Sequence, residues 1–500
     1  MESKKRTSIG KGKKLLAVML SAMLIGTTAI TVGSYTGTSI TASAATDTEE
    51  TSSSDFEYTT NDDGTLTITG YRGKYGNITI PSEIDGKTVT KIVGRNLFMV
   101  REGDSINIPA SITEIQPNAF AQYESNKLKN INVDKDNPAY SSKDGVLFSK
   151  DGTKLLVYPQ NRELTSSEME SLLQNVKEIG DYAFFMCYNF DLTDSTLIIP
   201  DSVEVIGEYA FSGIVNGHIK NLKLGKNVKS IGYKAFFSNR GVPINEVTFP
   251  ENIEFIGSGA FETSFLDYTK ENTTFKGYAG SYAELYCKAY GYKFESLGTA
   301  AEKPELTNDE FGIKVKGSFP DGATLSVEKA TSKLIPDAVF CYNISLNKDN
   351  KAVQPTGFVT VSIPCDVENC TVYYEDVENN TLTDMNAIYL DGCYIFSTNH
   401  FSDYMIVPNG TEINVDVIQP SFEPTNSTVT PENPNNNNND NNNDNNNSEN
   451  NNTNNDTDNN TNNNDVPATG DNSFAMVAMI AAAVSAVTML FARNRKKKAE

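Results

Sequence analysis

The chain has 500 residues and a formal net charge of -22, although both of its ends are basic. That balance disfavours a nucleic-acid binder, whose affinity comes largely from Lys and Arg neutralising phosphates. Six cysteines (187, 287, 341, 365, 370, 393) are too few for a disulfide scaffold at this length.

The N-terminus opens with Lys4, Lys5, Arg6, Lys11, Lys13 and Lys14, followed by the apolar run 15–33 and the small-residue stretch "TASAA" at 41–45. This is the order of a secretory signal over 1–44, with cleavage between Ala44 and Ala45. A retained N-terminal anchor is the competing reading, and the small-residue site argues against it. Residues 45–56 read as a short linker.

From 57 the chain repeats one phrase: "ITEIQPNAF" (112–120), "VKEIGDYAF" (176–184), "VEVIGEYAF" (203–211), "VKSIGYKAF" (228–236) and "IEFIGSGAF" (253–261). A short apolar-x-apolar piece precedes each phrase, as in "LIIP" (197–200), "LKLG" (222–225) and "VTFP" (247–250), and it steps by 25 residues from Leu197 to Leu222 to Val247. A fixed period of 20 to 29 residues signals a solenoid of the leucine-rich type. The apolar-x-apolar piece alternates with period two and predicts a short strand; Pro or Gly ends it. The phrase then carries the chain back, with its glycine expected to permit the bend. One coil is too thin to hide Val228, Ile231, Ala235 and Phe236, so burial requires the next coil to stack on it.

Phe120 and Phe184 lie 64 residues apart. The excess includes "DGVLFSKDGTKLLVYP" (144–159), which predicts a hairpin closed by an Asp-Gly turn. "TSSEMESLL" (165–173) sets Thr165 and Glu168 in capping-box spacing and predicts a short helix. This is an elaborated repeat inside one domain, 57–298.

The units resemble BspA-type (treponemal-type) leucine-rich repeats of bacterial surface proteins. The likeness rests on "IPxxVxxIGxxAF", on "NPAYSSKDGVLFSKDGTKLLVYP" (137–159) and on "FKGYAGSYAELYCKAYGYKFESL" (275–297). It implies a curved right-handed solenoid with a parallel sheet on its concave face, no enzyme activity, and a role as an adhesin or ligand-binding surface protein.

Residues 302–408 change pattern. Eight strand-like runs (312–317, 323–330, 339–346, 357–364, 370–376, 386–390, 393–398, 403–407) predict an immunoglobulin-like β-sandwich, with Asp391-Gly392 as a two-residue hairpin turn. We read it as a stalk or spacer. One or two bridges among Cys341, Cys365, Cys370 and Cys393 fit this region, and spacing does not assign them. The Asn-rich stretch that follows, 409–465, has almost nothing to bury and predicts a disordered tether, about 40 Å end to end on average and at most roughly 190 Å.

The tail, 466–500, combines "VPATGD", an apolar run at 473–492 long enough to span a bilayer, and the basic ending "RNRKKKAE". It resembles the cell-wall sorting signals of Gram-positive surface proteins, whose pattern is Leu-Pro-x-Thr-Gly. Pro467, Thr469 and Gly470 match, and Val466 stands where the pattern has Leu. The resemblance implies cleavage by a sortase after Thr469 and covalent attachment to peptidoglycan. A plain membrane anchor explains the apolar run and the charges but not the Pro-x-Thr-Gly.

Chemistry-bearing motifs are weak. His218 and His400 fall in different predicted domains without a Cys or carboxylate partner at motif spacing. "DKDN" (134–137) opens like a calcium loop but lacks the downstream Gly and Glu, and "GYRGKYG" (70–76) lacks the strand-to-helix context of a phosphate loop. No cofactor, no metal and no catalysis are expected. The remaining candidate is the middle residue of each strand, on the concave face: Thr79, Asn107, Ile198, Lys223 and Thr248. The same side chains serve equally well as plain cover for the sheet. The expected function is therefore a wall-anchored adhesin, monomeric outside the cell, that binds an extracellular protein or glycan. The alternatives are an envelope presentation protein without a specific ligand and, behind both, a surface glycosidase.

Overall fold

A computed structural model describes residues 52–74, 76–98, 100, 105–122, 127–187, 189–214, 219–238, 243–264, 268–335 and 338–420. The signal segment 1–44, His218, most of the Asn-rich tract and the sorting tail lie outside the described residues.

The repeat builds two parallel ladders from one coil. The apolar-x-apolar strands Thr196–Ile198, Asn221–Lys223, Glu246–Thr248, Thr274–Ala279 and Lys293–Thr299 pair in parallel in chain order. Their central residues Leu197, Leu222, Val247 and Phe275 are fully buried and share one register. On the other wall Glu178–Ile179, Val205–Ile206, Ser230–Ile231 and Phe255–Ile256 form the second ladder. The repeated Phe lies between the walls. Phe184, Phe211, Phe236 and Phe261 form a column of stacked rings with centroids 4.8, 5.1 and 5.4 Å apart. Each coil is thus the floor of the next, as the period requires.

The repeated glycine has a different job from the expected one. Gly180, Gly207, Gly232 and Gly257 do not have left-handed φ; that conformation falls two residues later, at Tyr182, Tyr209, Lys234 and Gly259, with φ of 58, 51, 50 and 66°. A Cβ on Gly232 would lie 2.6 Å from Glu208 N and from Gly207 C in the preceding coil, and one on Gly257 would lie 2.5 Å from Tyr233 N. Glycine is needed because successive coils touch backbone to backbone there.

Both ends of the stack are covered. Phe56–Thr60 pairs antiparallel with Leu66–Tyr71, which then joins Lys87–Ile92 in parallel. At the other end the helix Tyr282–Tyr290, capped by Ser281 and stopped by left-handed Gly291, buries Tyr282, Ala283, Tyr286 and Cys287. The elaborated repeat is a three-stranded meander, Tyr140–Lys143, Val146–Ser149 and Lys154–Val157, whose last strand continues the second ladder against Glu178–Ile179. The first turn of this meander, Asp144-Gly145, has two left-handed residues and was not among the expected hairpins.

Beyond 300 all eight expected strands are present, joined by Glu305–Asn308, Lys351–Val353, Thr381–Asp384 and Asp416–Ile418. They form a five-stranded and a seven-stranded sheet that share one core, with Val315, Val361 and Phe396 from the first facing Ile344, Val372 and Tyr404 from the second. Pairing continues past 408, where the sequence reading starts the tether: Asp416–Ile418 runs parallel to Thr381–Thr383. The sheets also rest on the last coils of the solenoid. Ile388 and Ile395 join the solenoid core, Ser258 N donates to Asn386 Oδ1 at 3.0 Å, and Lys303 pairs with Glu254 at 3.0 Å.

Candidate functional site

The expected face falls in two separate sheets. Ile78–Thr79, Ser105–Ile108 and Asn130–Val133 form a short parallel sheet of their own. There Asn107 Nδ2 donates to Thr79 Oγ1 at 3.0 Å, and Asn107 Oδ1 accepts from Asn132 Nδ2 at 2.9 Å. Asn132 was not singled out from the sequence, although "INV" repeats the apolar-x-apolar pattern at 131–133. The three side chains satisfy one another, so this patch reads as sheet cover with a polar ladder.

The second sheet carries the other candidates in one row: Ile198, Lys223, Thr248 and Lys276 are successive register partners. Lys276 is tied to Glu246 at 2.7 Å. Lys223 is exposed and forms no ion pair among the described residues. Ile198 is 58% exposed, the highest value of any large apolar side chain among the described residues. Ile198 sits on the edge strand of this sheet, and its exposed apolar surface is area that a partner could bury.

Beside this row the elaborated repeat raises a wall. The helix Ser166–Leu173 starts at Thr165, whose hydroxyl accepts from Glu168 N while Glu168 Oε2 accepts from Thr165 N at 2.9 Å. That bond holds the Glu168 carboxyl below the usual carboxylate range. Met169 and Leu173 anchor the helix to the core, and its ends are tied to later coils by Thr193 N on Ser166 Oγ at 2.9 Å and Ser202 Oγ on Leu173 O at 2.7 Å. Between helix and strands lies an open groove of about 820 Å³, lined among others by Ser167, Glu170, Asp191, Thr193, Ile198 and Lys223. No aromatic ring lines it.

A family model described as the BspA type leucine rich repeat region matches residues 74–144 and 160–286, in six copies. The matched segments include all five copies of the repeated phrase. Solved structures that are similar include the following three. A leucine rich cell surface protein of Faecalibacterium prausnitzii A2-165 is 16% identical over 50% of this chain and 95% of its own, with a TM-score of 0.29. The pneumococcal vaccine antigen PcpA is 16% identical over 45% of this chain and 68% of its own, with a TM-score of 0.29. A T. pallidum leucine rich repeat protein is 22% identical over 51% of this chain and its full length, with a TM-score of 0.24. No curated protein matches the chain.

Within the repeats, titratable groups gather at the "IGxxAF" turns. Glu208 is pushed up to about 7, first by burial and then by the charge of Asp181. Burial also raises Asp181, although the Glu208 N–H, 2.7 Å from its Oδ1, holds it back. Tyr182 and Tyr209 stack beside them at 5.0 Å, and Lys234 lies 4.8 Å over the Tyr233 ring. The nearest cavity, between Tyr182 and Phe185, holds about 10 Å³, room for one water and no substrate. His400 packs edge-on to Tyr374 at 4.8 Å, and burial lowers its basicity. In "DKDN", Asn137 is buried and fully engaged: its amide donates to Pro109 O and Ile112 O, and its Oδ1 accepts from Ala139 N and Tyr140 N. Among the described residues no three His, Cys, Asp or Glu side chains converge as metal ligands. The sorting residues Val466, Pro467, Thr469 and Gly470 and the cleavage pair Ala44 and Ala45 lie outside the described residues.

Proposed function

We propose that this chain is exported, linked to the cell wall through its sorting tail, and binds an extended segment of an extracellular protein in the groove between the helix 166–173 and the Ile198–Lys223 row. The observation that carries this reading is Ile198, a largely exposed aliphatic side chain at a groove that also offers Lys223, Glu170 and Asp191. An aliphatic contact flanked by carboxylates, hydroxyls and one unpaired ammonium suits a peptide backbone with mixed side chains. A glycan site would be expected to offer an aromatic face for the sugar C–H surface, and this groove has none. Wall attachment rests on Pro467, Thr469 and Gly470 with the apolar and basic segments behind them. In this arrangement the two-sheet domain, read as immunoglobulin-like, is a spacer, the ectodomain is monomeric, and no cofactor or catalysis is involved.

The test is an array of extracellular proteins and glycans probed with residues 45–420. A protein ligand is expected, with binding weakened at least tenfold by Ile198→Asp and by Lys223→Glu at an unchanged melting temperature. A blank array would favour the presentation protein. Glycan binding, or release of sugar in a hydrolysis screen, would overturn the peptide-groove reading.

A further inference from the structure

We propose that Cys365 and Cys370 are the partners of a disulfide that ties the two sheets together at one edge of the sandwich. The strand Val359–Pro364 belongs to the five-stranded sheet and Cys370–Asp376 to the seven-stranded sheet, so residues 365–369 are the crossover between them, with a cysteine at each end. Both thiols converge on one oxygen: Cys365 Sγ lies 3.6 Å and Cys370 Sγ 3.7 Å from the carbonyl of Val367. Two sulfurs sharing an acceptor at those distances lie within about 7 Å of each other. Backbone closure of that order is available here, because Asp366, Val367, Glu368 and Asn369 are all exposed.

The other cysteines are placed elsewhere. Cys365 and Cys370 belong to the core between the sheets, Cys341 to a separate cluster with Leu382 and Met405, and Cys393 packs against the solenoid core. Cys187 and Cys287 are buried inside the coils. The Tyr394 hydroxyl fixes the crossover from within, accepting from Cys370 N at 2.8 Å and donating to Val367 O at 3.0 Å.

The bridge forms by exchange with an external disulfide of a thiol–disulfide oxidant. One thiolate attacks it and expels one thiol; the second cysteine then attacks the mixed disulfide and expels the other. Two electrons and two protons pass from the cysteine pair to the oxidant. Burial raises the Cys365 thiol above its ordinary range, so attack by this cysteine is slow at neutral pH and quickens in alkali. The bridge in the living cell rests on the export reading, since only an oxidising exterior maintains it.

The test uses the full-length chain, alkylated without reductant and cut after glutamate. Glu328, Glu368 and Glu375 then bound two peptides, 329–368 and 369–375, that stay joined only through a disulfide to Cys370. After equilibration with oxidised glutathione the purified protein is expected to give the joined species, and reduction to split it. Cys341→Ser should leave it joined and Cys365→Ser should separate it. Separate peptides in the oxidised wild-type protein, or a link lost in Cys341→Ser, would overturn the pairing. Protein taken directly from the cell surface separates the two readings: a joined species after glutathione but free thiols there would keep the pairing and remove the oxidising location.

Discussion

The rings of Phe211 and Phe236 stack 5.1 Å apart and within 3° of parallel, from side chains that are 25 residues apart in the chain. The contact exists only because the two coils are in register, so each ring reports on the stack. Truncation leaves a cavity flanked by rings above and below that the backbone ladder keeps apart. Phe211→Ala or Phe236→Ala should cost about 3–5 kcal/mol in denaturant titration. A loss under about 1 kcal/mol would mean that the coils do not depend on the column.

Two glycines of the repeated phrases should respond differently to alanine. Gly232→Ala drives a Cβ into the backbone of Gly207 and Glu208, and neither can move without opening both ladders. A loss near 3 kcal/mol is expected. Gly259 has left-handed φ, but Tyr182, Tyr209 and Lys234 take the same conformation in the neighbouring coils. Gly259→Ala should therefore cost only about 1 kcal/mol. Equal losses in chemical denaturation would show that strain, not coil contact, places the glycine.

Glu208 sets a pH dependence with a definite sign. Its folded pKa of about 7 lies above the ordinary 4.5, so the folded chain holds this proton more tightly than the unfolded one. Stability from this group is full below about 4.5 and is lost as pH rises towards 7, by as much as about 3 kcal/mol. Carboxyls held low by hydrogen bonds, such as Glu168 and Asp151, act in the opposite sense, losing their contribution as pH falls below the ordinary range. Melting curves from pH 4.5 to 7.5 should decline towards neutrality and flatten in Glu208→Gln. An unchanged slope in that variant would assign the decline elsewhere.

The tail makes a covalent prediction. Pro467 fixes its own φ and biases Val466 towards an extended shape that suits an enzyme groove, and Gly470 leaves without a Cβ in the way. Val466 is one methylene smaller than the Leu of the pattern, a difference of about 1 kcal/mol in an apolar pocket. Protein released from the wall by muramidase should end at Thr469 in mass spectrometry. A C-terminal peptide containing Phe474 to Ala492 would identify a membrane anchor instead.

The 25-residue step by itself determined the architecture, because a coil with Ile231 and Phe236 on one side has no way to bury them except against a copy of itself. Local chemistry likewise determined the Thr165–Glu168 helix start and the Asp391-Gly392 turn, since caps and tight turns depend on neighbours in the chain. The backbone contact that demands glycine at 207, 232 and 257 was not legible, because it joins atoms one coil apart and the phrase shows only that glycine recurs. Nor was the break between Thr79–Asn107 and Lys223–Thr248, or the wall that the helix 166–173 raises beside Ile198. Those depend on where an inserted segment comes to rest against strands distant in sequence. Spacing likewise left the four cysteines between 341 and 393 open, and only the crossover between two sheets brought Cys365 and Cys370 to one carbonyl.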